Sequence, residues 1–152
     1  MMRRVGWLVL ISALVAGCSS DEGLGQRPIT PVKGPEKTLY ERLKKEEGIS
    51  RILDEWLARS QNNPRVNFAR KGTNREWTDQ NVARLKAQMV EFLCERSDGP
   101  QKYHGRDMKS VHQGMQISGG EFDAMKKDLK ETLKALKVKE KEQNDLVRLV
   151  ES

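Results

Sequence analysis

The sequence predicts an all-α domain, because apolar residues recur at helical spacing, capping boxes precede two of these runs, and no run alternates with period two. The chain has 152 residues, a length near that of one ordinary domain. Its composition, 36% hydrophobic and 33% charged, is typical of a globular protein with long solvated helices. We therefore expect one folded domain over residues 38–152.

The first two predicted helices follow each other closely. Thr38 and Glu41 fit a capping box that opens a short helix through Lys45. The next helix is predicted from about Ile49 to Arg59, and Asn62-Asn63-Pro64 stops it. Its apolar face is formed by Ile49, Ile52, Leu53, Trp56 and Leu57.

The remaining helices are separated by polar loops. Residues 65–80 form a long irregular segment, and Thr78 or Asp79 can cap the third helix, which ends before Gly99-Pro100. Asp107 is the candidate cap of a short helix. The apolar residues of the third helix are Val82, Leu85, Met89, Phe92 and Leu93. A second capping box, Ser118 with Glu121, opens a long helix, and residues 140–150 form the last one.

The first 37 residues are interpreted as an export signal and a tether. Residues 1–17 have a basic start and a short apolar run, which is typical of a signal peptide. Val15-Ala16-Gly17-Cys18 resembles the lipobox of bacterial lipoproteins, in which the cysteine is lipidated; an ordinary secretory leader or an uncleaved anchor is the alternative. Residues 18–37 then form a flexible tether rich in Gly and Pro. We expect a lipid-anchored protein of the bacterial envelope, at the periplasmic face of the outer membrane.

Neither the charge nor the cysteines point to a nucleic-acid or disulfide-based function. The formal net charge of +6 falls to +4 when Arg3 and Arg4 leave with the leader, and the charges are interspersed. No basic stripe with aromatic residues is present, so nucleic acid is not an expected partner. Cys94 lies in an apolar helical run and is predicted to be a small buried hydrophobe. The alternative, a redox thiol, has no CxxC partner or adjacent histidine.

One histidine lies at the centre of the stretch from Tyr103 to Ile117. His112 is flanked by Val111 and Met115, and Met108 precedes it at helical spacing. Because no second histidine, cysteine or carboxylate cluster is beside it, this imidazole suits an iron whose four in-plane ligands come from a porphyrin. The alternative is a histidine without a ligand role in a helical protein whose Met and Leu stripes pack on each other.

Four short runs of the sequence matter together: L-Y-E-R-L at 39–43, L-K-A-Q-M-V-E-F at 85–92, G-R-D-M-K-S-V-H-Q-G-M-Q-I at 105–117 and E-F-D-A at 121–124. They occur in the order found in group I truncated haemoglobins, and the chain resembles that family over 38–150. The resemblance implies a two-over-two helical sandwich around haem b. Lys44-Lys45 stands where many family members have Gly-Gly, so we expect a straighter first helix.

The resemblance implies how haem is held. His112 would be the proximal iron ligand, with its other ring nitrogen donating to a backbone carbonyl, and Met108 would lie in the apolar surface beside it. Phe68 corresponds to the loop phenylalanine that packs on the porphyrin. Arg84 and Lys86 are candidates to pair with the haem propionates. His104, in a polar loop, is expected to be solvent-exposed and not a ligand.

The resemblance also implies an unusual gas-binding side, meaning the face of the haem opposite His112. Leu85 and Met89 would lie over it, one helical turn apart, with Gln88 beside Met89. Leu57 replaces a tyrosine that commonly contacts bound oxygen, and Met89 replaces a glutamine. Neither Leu57 nor Met89 offers a strong hydrogen bond to oxygen. Gln88, or Tyr40 from the first helix, is the alternative donor.

Three functions compete at this point. The first is reversible binding of oxygen or another diatomic gas by an anchored haem protein. The second is a haem enzyme, a nitric-oxide dioxygenase or a peroxidase-like protein, which would need an external electron donor because no flavin or NAD domain is encoded. The third is a haem-free helical lipoprotein that acts through contacts alone.

Overall fold

A computed structural model describes residues 36–67 and 76–152, and these ranges contain six α-helices and no strand. The helices are α1 (Leu39–Arg42), α2 (Lys45–Gln61), α3 (Asp79–Arg96), α4 (Met108–His112), α5 (Gly119–Ala135) and α6 (Glu140–Glu151). The prediction of an all-α domain is confirmed. None of these six helices has the length and apolar character needed to cross a bilayer. The predicted leader, Cys18 and Phe68 lie outside the described residues.

The helix starts follow the predicted capping residues. The Thr38 hydroxyl accepts from the Glu41 N–H at 3.2 Å, and the Glu41 carboxylate accepts from the Thr38 N–H at 3.1 Å. Ser118 and Glu121 form the same reciprocal pair at the start of α5. The Thr78 hydroxyl caps α3 by accepting from the backbone N–H of Asn81, the third residue of the helix. These side chains satisfy donors that the first turn of a helix leaves unpaired, so local sequence sets these ends.

The turn between α1 and α2 differs from the prediction. α1 ends at Arg42 and does not continue through Lys45; Lys44 and Lys45 both adopt left-handed backbone angles, with φ of 66° and 62°. A Cβ atom added to Gly48 would clash with the carbonyl oxygen of Leu43. Gly48 therefore lets the start of α2 pass close to the end of α1. The expected straighter first helix is wrong, because this close approach imposes a sharp turn even on lysines.

The helices pack as two layers. α2 packs on α3 in one layer, α5 packs on α6 in the other, and α2 against α5 joins them, while α1 contacts α2 and α6. This arrangement matches the predicted two-over-two sandwich. The connected core consists of Tyr40, Leu43, Ile49, Ile52, Leu53, Trp56, Leu93, Cys94, Leu129, Leu133, Leu146 and Val147. Burial of each large aliphatic member contributes about 1.5–3 kcal/mol, so this core holds five of the six helices together.

Cys94 is fully buried in α3, which confirms its prediction as a small core residue. Burial raises the pKa of the Cys94 thiol to about 11, with a smaller contribution from the nearby Glu46 carboxylate. Because the thiolate is the reactive form, we expect iodoacetamide to leave Cys94 unmodified in the native protein at pH 8. Mass spectrometry of the Cys94 peptide checks this. Rapid labelling before denaturant is added would contradict it, and labelling in denaturant is the control.

Candidate functional site

His112 is the last residue of α4, and its ring orientation is set by its own helix. The Nδ1 atom lies 2.8 Å from the backbone carbonyl oxygen of Met108, one turn earlier. When Nδ1–H donates to this carbonyl, the lone pair of the neutral ring is on Nε2. No described residue hydrogen bonds to Nε2, and the side chain is exposed. A histidine held by a backbone carbonyl in this way is prepared to bind a metal through its other nitrogen.

α4 is short, and it packs weakly compared with the other described helices. None of its residues is buried, and none of the well-packed helix pairs includes it. Met108, Val111 and Met115 are each half-buried. Ile117, just beyond, is 42% exposed and is the one large exposed hydrophobic residue within the described ranges. This apolar surface around His112 fits an apolar partner larger than one side chain.

Polar contacts attach α4 and the loop before it to the rest of the domain. The Asp107 carboxylate caps α4 by accepting from the Ser110 N–H at 2.9 Å, as predicted. The Tyr103 N–H donates to the Glu95 carboxylate at the end of α3, at 3.0 Å. The Tyr103 and Phe92 rings pack nearly perpendicular to each other, with 5.4 Å between their centroids. The sequence did not assign this role to Tyr103, since an aromatic residue in a loop carries no local signal of its partner.

These contacts make the attachment of α4 sensitive to acid. The backbone N–H of Tyr103, followed by the Lys102 ammonium, lowers the pKa of Glu95. Hydrogen bonds from Ser110 lower the pKa of Asp107. A carboxylate with a lowered folded-state pKa contributes stability above its unfolded-state pKa, and that contribution is lost as the pH falls through the lowered value. Acidification below the ordinary carboxyl range is therefore expected to weaken the cap of α4 and the contact of its preceding loop with α3.

The predicted gas-side residues come from two helices that pack on each other. Leu57 is buried in α2, with 3% exposure, yet the connected core does not include it. Leu85 and Met89 are half-buried on α3, and Met89 packs against the core. The Lys86 ammonium is 2.6 Å from the Asp54 carboxylate, which joins this part of α3 to α2 one turn before Leu57. Leu57 therefore lies on one, and Leu85 and Met89 on the other, of the two helices that this ion pair joins.

The charged candidates have different surroundings. Arg84 is exposed and donates to the Asn81 side chain on its own helix at 3.1 Å, so its pairing with a propionate stays a prediction. Lys86 has Asp54 as its partner, which the sequence did not predict. The His104 side chain is 80% exposed, with Nδ1 3.8 Å from a Glu91 carboxylate oxygen, and its predicted exposure is confirmed. Gln88 is exposed on α3.

Comparison with known proteins covers the same part of the chain. The sequence profile described as bacterial-like globin matches residues 38–152. The chain belongs to this globin family. The globin domain is 27% identical over 115 residues to group 1 truncated haemoglobin of Tetrahymena pyriformis, covering 76% of this chain and 89% of the relative. It is 28% identical over 96 residues to group 1 truncated haemoglobin GlbN of Nostoc sp. (strain MUN 8820), covering 63% of this chain and 75% of the relative.

A solved structure agrees with this assignment. The crystal structure of truncated haemoglobin from Tetrahymena pyriformis, in its Fe(III) form, matches with a TM-score of 0.65 and 27% identity. The match covers 76% of this chain and 92% of that chain. The fold of the globin domain is therefore that of a truncated haemoglobin, as the resemblance implied.

The residues present fit haem, the cofactor of truncated haemoglobins. Iron in a porphyrin needs one protein ligand below the ring, and His112 offers a ring nitrogen whose opposite nitrogen is already held by Met108. The porphyrin faces would need apolar cover, and Met115 and Leu85 are half-buried apolar side chains of the kind that would supply it. The haem cofactor is confirmed for this globin domain, and the family supports oxygen binding.

Proposed function

We propose that this protein binds haem b through His112 and uses it to bind a diatomic gas. The observation that carries the proposal is the 2.8 Å contact between His112 Nδ1 and the Met108 carbonyl, which leaves Nε2 as the ring nitrogen that can bind iron. Bound haem supplies an iron atom with one open coordination position for the gas. Met108 and Val111 of α4, with Met115 just after the helix, are half-buried apolar side chains that would keep water from the porphyrin.

The test compares the two histidines of the chain. We expect wild type and His104→Ala to bind hemin with the same absorption spectrum and the same iron–histidine signal in resonance Raman. His112→Ala should lose that signal and bind hemin more than about 100-fold more weakly, because altering the partner of a metal-bound histidine already costs about 10–100-fold. His104→Ala is a matched control, since that side chain is 80% exposed and lies outside α4.

Added imidazole gives a second, independent measurement. In His112→Gly, free imidazole should restore the histidine-like haem spectrum, because it can occupy the space that the side chain leaves. An unchanged spectrum in His112→Ala would contradict the ligand assignment. A colourless, folded wild type that ignores added hemin would favour the haem-free helical lipoprotein instead.

We further propose that the protein is exported and lipid-anchored at Cys18. The support is the Val15-Ala16-Gly17-Cys18 run, which closes a signal-peptide pattern and precedes the tether. Metabolic labelling with a fatty acid is expected to mark the wild type and not Cys18→Ala. Cys94→Ala, which removes the other cysteine, should be labelled like the wild type. Equal labelling of wild type and Cys18→Ala would refute lipidation at this residue.

A further inference from the structure

We infer that a row of exposed lysines on α5 binds the surface of an anionic phospholipid bilayer. This lysine row consists of Lys127, Lys130 and Lys134 within the helix and Lys137 just after it. The inference goes beyond haem binding and beyond lipidation at Cys18, and it requires neither of them. It rests on where the fold places the charged side chains of α5 and of the turn that follows.

The fold separates charges that are interspersed in the sequence. Residues 123–142 contain seven lysines and five acidic residues, so the segment is close to balanced when it is read as a sequence. Two of the acidic residues, Asp128 and Glu142, are buried with 7% exposure each. Asn63 donates to the Asp128 carboxylate at 2.8 Å, and the Arg42 guanidinium is 3.1 Å from the Glu142 carboxylate. Burial of these two carboxylates leaves an excess of lysine charge at the surface.

The acidic residues that stay at the surface neutralise little of the lysine row. Asp123 pairs at 3.1 Å with Lys126, a half-buried lysine outside the row. Glu131 is 3.5 Å from Lys134, whose side chain is 64% exposed, so solvent screens this pair. Glu140 is exposed after the row. The other three lysines of the row form no ion pair with any residue in the described ranges.

The lysine row lies on the side of α5 that faces solvent. Its three helical members are spaced by three and four residues, which places them on one face over about 10 Å of helix. Leu129 and Leu133, on the buried side of α5, belong to the connected core. The Lys137 N–H donates to the Lys134 carbonyl at 2.9 Å, which keeps Lys137 beside the end of the helix. The chain then continues with two more exposed lysines, Lys139 and Lys141.

The composition of this surface favours lipid head groups over a protein or a nucleic acid. Stable protein interfaces are enriched in arginine and aromatic residues and depleted in lysine, and no arginine occurs between Arg106 and Arg148. Single-stranded nucleic acids stack their bases on aromatic side chains. Phe122, the one aromatic residue of 118–152, is half-buried with the Lys126 ammonium 5.0 Å from its ring centroid. Lysine is a flexible point charge, which suits mobile phosphate head groups that offer no fixed geometry.

The attachment that this surface allows is electrostatic and does not insert α5 into the bilayer. The apolar face of α5 is occupied by the core, so only charged side chains are presented to a membrane. Each lysine near an anionic membrane surface adds about fivefold to the affinity. This attraction acts over about one Debye length, roughly 8 Å at 0.15 M salt and 3 Å at 1 M. We therefore expect binding at physiological salt and release in about 1 M NaCl.

The experiment uses residues 19–152, which lack both the leader and the cysteine that would carry a lipid. These residues include the whole connected core, and the domain matches 92% of the Tetrahymena pyriformis chain, so it corresponds to a complete folded protein. Sedimentation with vesicles is expected to show binding to phosphatidylcholine mixed with phosphatidylglycerol. Vesicles of phosphatidylcholine alone should bind about 100-fold more weakly or less, because they carry no net charge.

Replacement of all four lysines of the row by glutamine should weaken binding to the anionic vesicles by about 100-fold or more. The matched control lowers the net charge by the same amount on other elements and should bind like the wild type. It replaces four exposed basic residues by glutamine: Arg51, Arg65, Arg106 and Lys109. Unchanged hemin binding by the lysine-row variant would separate this result from any failure of the proposed haem function.

Several outcomes would overturn the inference. One is equal binding of the lysine-row variant and the wild type to anionic vesicles, and another is binding that persists in about 1 M NaCl. Binding of a single-stranded oligonucleotide without binding of the vesicles would assign the row to nucleic acid instead. Where the fourfold variant folds poorly, two double variants replace it, Lys127→Gln with Lys130→Gln and Lys134→Gln with Lys137→Gln. Each should weaken vesicle binding about 25-fold, and an unchanged affinity in both would also overturn the inference.

Discussion

Hemin is expected to raise the free energy of unfolding of the wild-type protein by about 4 kcal/mol when its free concentration is about a thousandfold above the dissociation constant. A ligand that binds only the folded state stabilises it by mass action, by an amount set by its free concentration relative to its dissociation constant. The α4 helix has no buried residue and has an apolar surface that haem would cover. Chemical denaturation followed by far-ultraviolet circular dichroism, with and without hemin, measures the change.

The same experiment on the two histidine variants separates specific from non-specific hemin binding. His104→Ala should keep the full hemin-induced gain in the free energy of unfolding. His112→Ala should lose most of that gain, since the iron ligand supplies the specificity. Hydrogen exchange adds local information: hemin should slow exchange most at the amides of α4 and of its flanking loops. An equal gain in His112→Ala would mean that hemin binds elsewhere on the surface, and the site described above would then be wrong.

Gly48→Ala is expected to destabilise the protein by about 3 kcal/mol, the upper part of the range for overpacking. Within a helix this change normally stabilises by about 0.5–1 kcal/mol, because alanine loses less backbone entropy on folding. Here the new Cβ would meet the carbonyl oxygen of Leu43, a backbone atom that cannot rotate away. The steric cost exceeds the entropic gain, so the net effect is a loss of stability, measured by urea denaturation.

Gly119→Ala is the matched control for this prediction. Gly119 begins α5, and a Cβ there meets no atom within 4 Å. The substitution should therefore leave stability unchanged or raise it by up to about 1 kcal/mol. If Gly48→Ala instead behaved like Gly119→Ala, the close approach of α1 and α2 at the Lys44-Lys45 turn would not exist in solution.

The features that the sequence predicted correctly are those encoded within about one helical turn. Thr38 with Glu41 and Ser118 with Glu121 form capping boxes because both partners are three residues apart. His112 and Met108 are likewise one turn apart, so the orientation of the imidazole depends on a single short helix. Periodic apolar spacing placed the buried face of α2 for the same reason, whereas only Leu93 of the predicted apolar residues of α3 is fully buried.

The features that the sequence did not predict depend on residues that are distant in the chain or on tertiary strain. Lys86 forms an ion pair with Asp54 across the α2–α3 contact, and no sequence pattern around either residue predicts that pairing. Tyr103 reaches Glu95 and Phe92 across the end of α3. Left-handed backbone angles cost a residue such as lysine roughly 1–2 kcal/mol. Lys44 and Lys45 adopt them nevertheless, because the close packing of α1 and α2 at Gly48 outweighs this cost.

The separation of α4 from the connected core has a consequence for how the protein matures. The twelve residues of the connected core, eleven from the other five helices and Leu43 just after α1, pack together without any residue of α4. We therefore expect the polypeptide to become compact before it receives its pigment, with only the five-residue α4 helix and its neighbours left to settle. Synthesis of the chain and supply of the porphyrin need not coincide in time or in place.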